Sequence, residues 1–178
     1  MKTNLKKWPI VLLIVGVLTA MHAQASVPAT KACQRGGADS LACRSLAELK
    51  DTMGFFELWW QGKIEKSMEH YRLPLVQSKQ FSIVTPEGDI LDNKSTLDGF
   101  YDQHGARPNL IQIKDLEVQV LSESDELIAL SYEEHQLVRN PQTQQVETII
   151  LATTALLVRA PGTPNGLAWL RVQETSRK

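Results

Sequence analysis

Tyr132 and Glu134 stand two residues apart in the stretch LIALSYEEHQL, and Trp169, Arg171 and Gln173 alternate in the terminal LAWLRVQET. Side chains two apart share one face of a strand. In the first stretch Ile128, Leu130, Tyr132 and Glu134 form the face that starts more apolar, so that face is expected to turn inward. In the second, Trp169 marks the inward face and brings Arg171 and Gln173 with it. On one reading, Tyr132, Glu134, Trp169, Arg171 and Gln173 ring a cavity. Trp59 and Trp60 from a first helix and Tyr101 from a later one add to its wall. A few polar groups on apolar walls are what a small-ligand pocket requires. On the other reading, Glu134 and Arg171 form a salt bridge at the sheet rim and the tryptophans are core.

Catalysis at such a site would be of the isomerase type: a carboxylate base, with acidic donors aimed at a forming oxyanion in a dry pocket. Glu134 is the candidate base, and Tyr132 or Tyr101 the donor. Arg171 beside Glu134 would lower its pKa and weaken it. His70, Asp102 and His104 are further acids or bases, each equally at home on a solvated helix face. No nucleophile elbow, phosphate-binding loop or dinucleotide fingerprint occurs. The histidines His22, His70, His104 and His135 lack metal-ligand spacing, so no metal and no cofactor is expected.

The chain of 178 residues has room for one domain and carries a net charge of −1. Without a basic stripe interleaved with aromatics, it is not expected to bind nucleic acid. Lys2, Lys6 and Lys7, the apolar PIVLLIVGVLTAM and the small-x-small Ala23-Gln24-Ala25 form the pattern of a secretory signal peptide over residues 1–25. The apolar run falls short of the roughly 20 residues of a membrane-spanning helix. An uncleaved anchor is the alternative; after cleavage no stable membrane span is expected. The remaining chain has 16 basic and 20 acidic residues, a net of −4. The expected location is periplasmic or secreted. Cys33 and Cys43 lie just past the cut, and an oxidising compartment favours pairing them. A redox-active or metal-binding pair is the weaker alternative, because the spacing is not C-x-x-C.

Residues 26–44 read as a leader tethered by that disulfide, and residues 45–178 as the domain. Ser45 followed by Glu48 has the form of a capping box. Leu46, Leu49, Met53, Phe56 and Trp60 then make one apolar helical stripe. Gly62 interrupts it, KIEKSMEHYRL resumes it, and Pro74 stops it. QFSIVTPEGDILD reads as a hairpin turning at Pro86 to Gly88. A short helix follows over about residues 94 to 104, capped by Asp92 or Asn93 and ended by Gly105. Four long strands at hairpin spacing complete an antiparallel meander. Helices first and a long antiparallel sheet after is an α+β pattern. The sheet must curl around the N-terminal helices, giving a cone with a cavity at its wide end. The run IILATTALLV is apolar on both faces, as a strand covered twice, or simply a central one, would be.

The stretches FFELWWQGK, FSIVTPEGDILD, DGFYDQHGARPNLIQIKDLEV, SYEEHQ and LAWLRVQET, in this order over residues 45 to 175, resemble the nuclear transport factor 2-like superfamily. That superfamily includes ketosteroid isomerase and the SnoaL-like proteins; the likeness is to its uncharacterised branch. The resemblance implies a cone-shaped α+β barrel, with N-terminal helices packed in a curved, mostly antiparallel sheet, and a homodimer. Members often carry His at alternate positions of the last strand, where this chain has Arg171 and Gln173, while Trp169, Glu174 and Thr175 match. Proton chemistry by such histidines is therefore absent. Two functions stay open. One is an exported domain whose hydrophobic cavity binds a small apolar molecule, or a protein partner, without catalysis. The other is a small cofactor-independent isomerase, lyase or hydrolase.

Overall fold

The computed structural model describes residues 26–67 and 77–177. The signal segment and His70 lie outside the described residues. Helix α1 (Ala29–Gly36) leads to the long helix α2 (Leu41–Gln61). Strands β2 (Gln77–Val84) and β3 (Ile90–Asp92) flank a turn in which Gly88 N donates to Thr85 O at 2.9 Å. Helix α3 (Asn93–Asp102) follows, and then β4 (Leu110–Glu123), β5 (Leu127–Arg139), β6 (Val146–Arg159) and β7 (Leu167–Arg177). The sheet has the order β1-β4-β5-β6-β7-β2-β3 among the described residues, with β1 (Val27–Pro28) at one edge. It is a mixed α+β fold with a curled, unclosed sheet wrapped on its helices, the cone expected from the sequence.

Helix α2 starts earlier than the capping box implied. Ser40 is its N-cap and accepts from Cys43 N at 3.2 Å, so one orphan donor is met there. Ser45 lies inside the helix and donates to Ala42 O at 3.0 Å. The reason is upstream: the Cys33–Cys43 disulfide, with Cα atoms 4.5 Å apart, joins α1 to the first turn of α2. Ala29, Leu41 and Ala42 are thereby drawn into the core. Downstream, residues 63–67 do not continue the helix, because Gly62 takes a left-handed φ of 70°. Asp92 caps α3 by accepting from Ser95 N at 2.8 Å.

The meander from β4 to β7 is antiparallel throughout. The parallel pairing of β2 with β7, and the docking of β1 on β4, are not apparent in the alternation of the sequence. Strand β6 sits between β5 and β7. Leu151, Thr153, Ala155 and Leu157 are buried on its concave face, and Ile150, Ala152, Leu156 and Val158 are half-buried on the other. Helix α2 lies in the concavity. Leu41 and Leu49 pack with Ile128, Leu130, Leu157 and Leu167. Further along, Phe56, Trp59 and Trp60 meet Leu110 and Ile113.

Candidate functional site

Strand β5 pairs with β6 without interruption over its whole length. Its alternation therefore survives into the fold: Ile128, Leu130, Tyr132, Glu134 and Gln136 are all buried on the concave face. The last strand does not keep its alternation. Trp169 pairs with Leu157 and Arg171 with Leu156, so Leu170 is an extra residue and the strand bulges there. Beyond the bulge the faces exchange. Val172 and Glu174 turn inward, and Arg171 and Gln173 are exposed on the convex side. The expected common face of Trp169, Arg171 and Gln173 is thus corrected, and with it the expected Arg171–Glu134 pair.

The inward rows enclose a cavity of about 390 Å³. Tyr132, Glu134, Trp60 and Trp169 line it, together with Gln136, Glu174 and Arg107. Two other expected residues stand elsewhere. Trp59 is fully buried beside the cavity and donates from Nε1 to Phe100 O at 2.9 Å. Tyr101 packs on Trp59, ring centres 5.8 Å apart, with Lys66 over its ring. His104 holds Ile64 O at 2.7 Å and packs edge-on against Trp59. Asp102 is exposed, and His135 pairs with Glu133 on the convex side.

The cation of the site is Arg107, which the alternation of strands cannot reveal because it lies in the link between α3 and β4. Its position follows from a close backbone approach. Gly62 and Gly105 both take positive φ, and a Cβ on Gly62 would lie 3.3 Å from Gly105 Cα. Gly105 N then donates to Trp59 O at 3.0 Å, and Arg107 N to Trp60 O at 2.9 Å. This sets the guanidinium over the Trp60 ring, 4.5 Å from its centre, a cation–π contact. Arg107 Nη1 donates to Gln136 Oε1 at 2.5 Å, and Gln136 Nε2 donates to Glu134 Oε1 at 2.5 Å. An amide thus links the guanidinium to the carboxyl group that the sequence paired with Arg171.

Burial dominates the electrostatics. Glu134, 4% exposed, has its pKa raised by desolvation, against which the Gln136 hydrogen bond and the Arg107 charge act. Glu174 is pushed up to about 7, first by burial and then by the charge of Glu134. Asp115 faces Glu134 directly across the β4–β5 pair and is pushed up to about 8, again by burial and then by Glu134. Tyr132 is raised by burial and by the acids around it. Asp115 shares an inward face with buried Ile113; its place two residues after Ile113 in IKD was the sequence signal for it. Glu174 had such a signal only for a reader who knew of the bulge.

A further buried carboxyl group, Glu48, is fully engaged. It accepts from Trp169 Nε1 and from Asn165 Nδ2, both at 2.9 Å, and so fixes the indole that closes one wall.

No family model matches the chain, and no curated protein does. Solved structures do. An NTF-2-like protein of unknown function from Pseudomonas aeruginosa superposes with a TM-score of 0.65 at 23% identity, over 76% of this chain and all of that one. The calcium/calmodulin-dependent kinase II hub homology domain of Chlamydamonas reinhardtii gives 0.56 at 14% identity, over 78% of this chain and all of that one. A putative kinase II association domain from Xanthomonas campestris gives 0.55 at 8%, over 79% and 90%. The curled sheet, the helix in its concavity and these superpositions lead to one conclusion: the chain has the nuclear transport factor 2-like fold.

Proposed function

We propose that this protein is exported and binds a small, largely apolar ligand in the cavity of its cone, without catalysis. The observation that carries the reading is the cavity itself, about 390 Å³. That is in the range of small-molecule sites, and its apolar walls hold a few fixed polar groups. The Arg107–Gln136–Glu134 chain gives one wall an oriented polar patch. Export is supported by the signal-like N-terminus and by the Cys33–Cys43 disulfide. Among the described residues no helix is long and apolar enough to cross a membrane.

Native mass spectrometry of protein purified from the exported fraction tests this. A bound small molecule is expected on the wild type and lost on Met53→Trp, which fills the cavity from the half-buried face of α2. A ligand-free wild type under gentle ionisation, with no mass gained from a lipophilic extract, would count against the reading.

A catalytic second reading is favoured by the place of Glu174 in the apolar cavity, where burial pushes its pKa up to about 7. Such a group suits general acid–base work at neutral pH. Turnover of an extracted ligand that disappears in Glu174→Gln would establish it. A homodimer completes the proposal. It is supported by the apolar residues on both faces of β6 and by the hub and association domains among the similar structures. A two-chain mass in sedimentation at micromolar concentration is the expected result.

A further inference from the structure

The sheet does not close, so its outer strands turn backbone groups away from any neighbouring strand. At one end the edge is β3, only three residues long, and its last residue, Asp92, already caps α3. At the other end β4 runs for 14 residues, and among the described residues β1 pairs with it only at Gln119 and Val120. A long bare edge of this kind is a template for strand addition. The edge of β4 is not bare. Glu57 and Gln61 stand one turn apart on α2 and so share one face of it. Glu57 Oε2 accepts from Ile113 N at 3.0 Å. Gln61 Nε2 donates to Leu110 O at 2.6 Å and to Ile111 O at 3.4 Å. One side chain supplies an acceptor and the next a donor, as a paired strand would. The amide of Gln61 keeps this orientation although its Oε1 is buried without a partner among the described residues. Turned over, it would set that oxygen against two carbonyl oxygens, so the edge itself dictates which way the amide faces.

Further along, the edge is broken instead of capped. Glu117 takes a left-handed φ of 55°, and the β4–β5 register shifts between Leu116 and Gln119. This bulge turns the strand out of line just before β1 covers it. Beside the capped stretch the surface is apolar. Leu58, between Glu57 and Gln61 in α2, is exposed, and so is Ile111 of β4. Backbone groups freed there would be flanked by side chains that favour association.

We propose that Glu57 and Gln61 act together as a surrogate strand that seals the β4 edge against pairing with a second copy of this chain. A second copy is the partner because it brings the same edge with the same backbone groups, and two such edges pair antiparallel about a twofold axis. The seal involves neither the cavity nor the two faces of β6, so it stands or falls apart from the ligand and homodimer readings.

Sedimentation and amide hydrogen exchange of the protein purified from the exported fraction test it. In the wild type the Ile113 amide should be protected, although it lies on an outer strand. In Glu57→Ala at low concentration it should exchange about fivefold to tenfold faster, the factor for one ordinary hydrogen bond. With Glu57→Ala and Gln61→Ala combined, near-millimolar protein should show twice the mass that the wild type shows under the same conditions. Protection of Ile113 should return as the complex forms, because a second strand replaces the carboxylate. Glu57→Gln keeps an acceptor for the amide and should behave as the wild type. Both side chains are half-buried at the surface of α2, and near-ultraviolet circular dichroism checks that the variants fold. If the combined variant does not fold, Glu57→Ala alone carries the same two readings. A folded variant that keeps the wild-type mass at every concentration would overturn the seal. So would association that leaves Ile113 unprotected, or association of Glu57→Gln to the same extent.

Discussion

The two ends of the concave face are built on the same strands and do opposite things. Along β5 the inward side chains run Ile128, Leu130, Tyr132, Glu134, Gln136; along β7 they run Leu167, Trp169, Val172, Glu174, Ser176. At one end leucines interlock with α1 and α2 and exclude solvent. At the other, Phe56 and Trp60 of the helix and the acids of the same sheet line a cavity. Apolar packing is concentrated in the first end, and buried acids in the second. A sheet that curls away from its helix separates the two without any change of topology.

The largest effect should come from opening the closed end. Leu130 is fully buried there, and Leu130→Ala leaves a cavity among leucines. A loss of about 2 to 5 kcal/mol is expected by chemical denaturation. An equally large loss from Gln136→Ala at the mouth would erase the contrast.

Next is the disulfide, which belongs to the closed end because Cys33 packs on that core. Replacing both Cys33 and Cys43 by Ser should cost roughly 2 to 3 kcal/mol, the chain-entropy value for a loop of this length. Alkylation of the unreduced exported protein should label neither cysteine.

Opposite Glu134, across the β4–β5 pair, the sign reverses. Asp115 has a folded pKa of about 8 against an ordinary 3.8. Between those values the folded protein keeps a proton that the unfolded chain has lost. Stability therefore falls as pH rises through that window. Asp115→Asn should weaken this dependence, leaving the share of Glu134 and Glu174, and stabilise the protein by about 1 to 3 kcal/mol at pH 8, the order of one desolvated polar group. Thermal melts of both proteins at pH 5 and pH 8 decide it; a variant no more stable at pH 8 than the wild type would contradict the burial of this acid.

The smallest effect is expected at Arg171, exposed on the convex face. Arg171→Ala should change stability by no more than about 0.5 kcal/mol and leave ligand binding as it is. A large loss would return this residue to a buried pair.

These sites also show what the sequence can disclose. Strand β5 was legible because nothing interrupts its register, so Tyr132 and Glu134 could be placed from alternation alone. Strand β7 was legible only as far as Trp169. One extra residue, Leu170, exchanges the faces, and no local residue type announces it. The start of α2 was missed because Ser45 and Glu48 mimic a cap, while the true cap, Ser40, is set by a disulfide and by burial of Leu41 and Ala42. Arg107 reaches the site through two glycines meeting across 43 residues of chain, a contact no pattern within one element encodes. The architecture follows from periodicity, and its charge-bearing half follows from irregularities in it.

The most direct test of the whole account is a map of where a ligand touches. In a backbone-amide NMR titration with a small lipophilic alcohol, phenoxybutanol, the amides of Tyr132, Glu134, Leu151, Val172 and Glu174 should shift together and saturate at one stoichiometry. Those of Ile128 and Leu157 at the closed end, and of Arg171 and Gln173 on the convex face beyond direct neighbours, should move little. Shifts centred on the convex face, or none at any concentration, would contradict a functional site at the mouth of the cone.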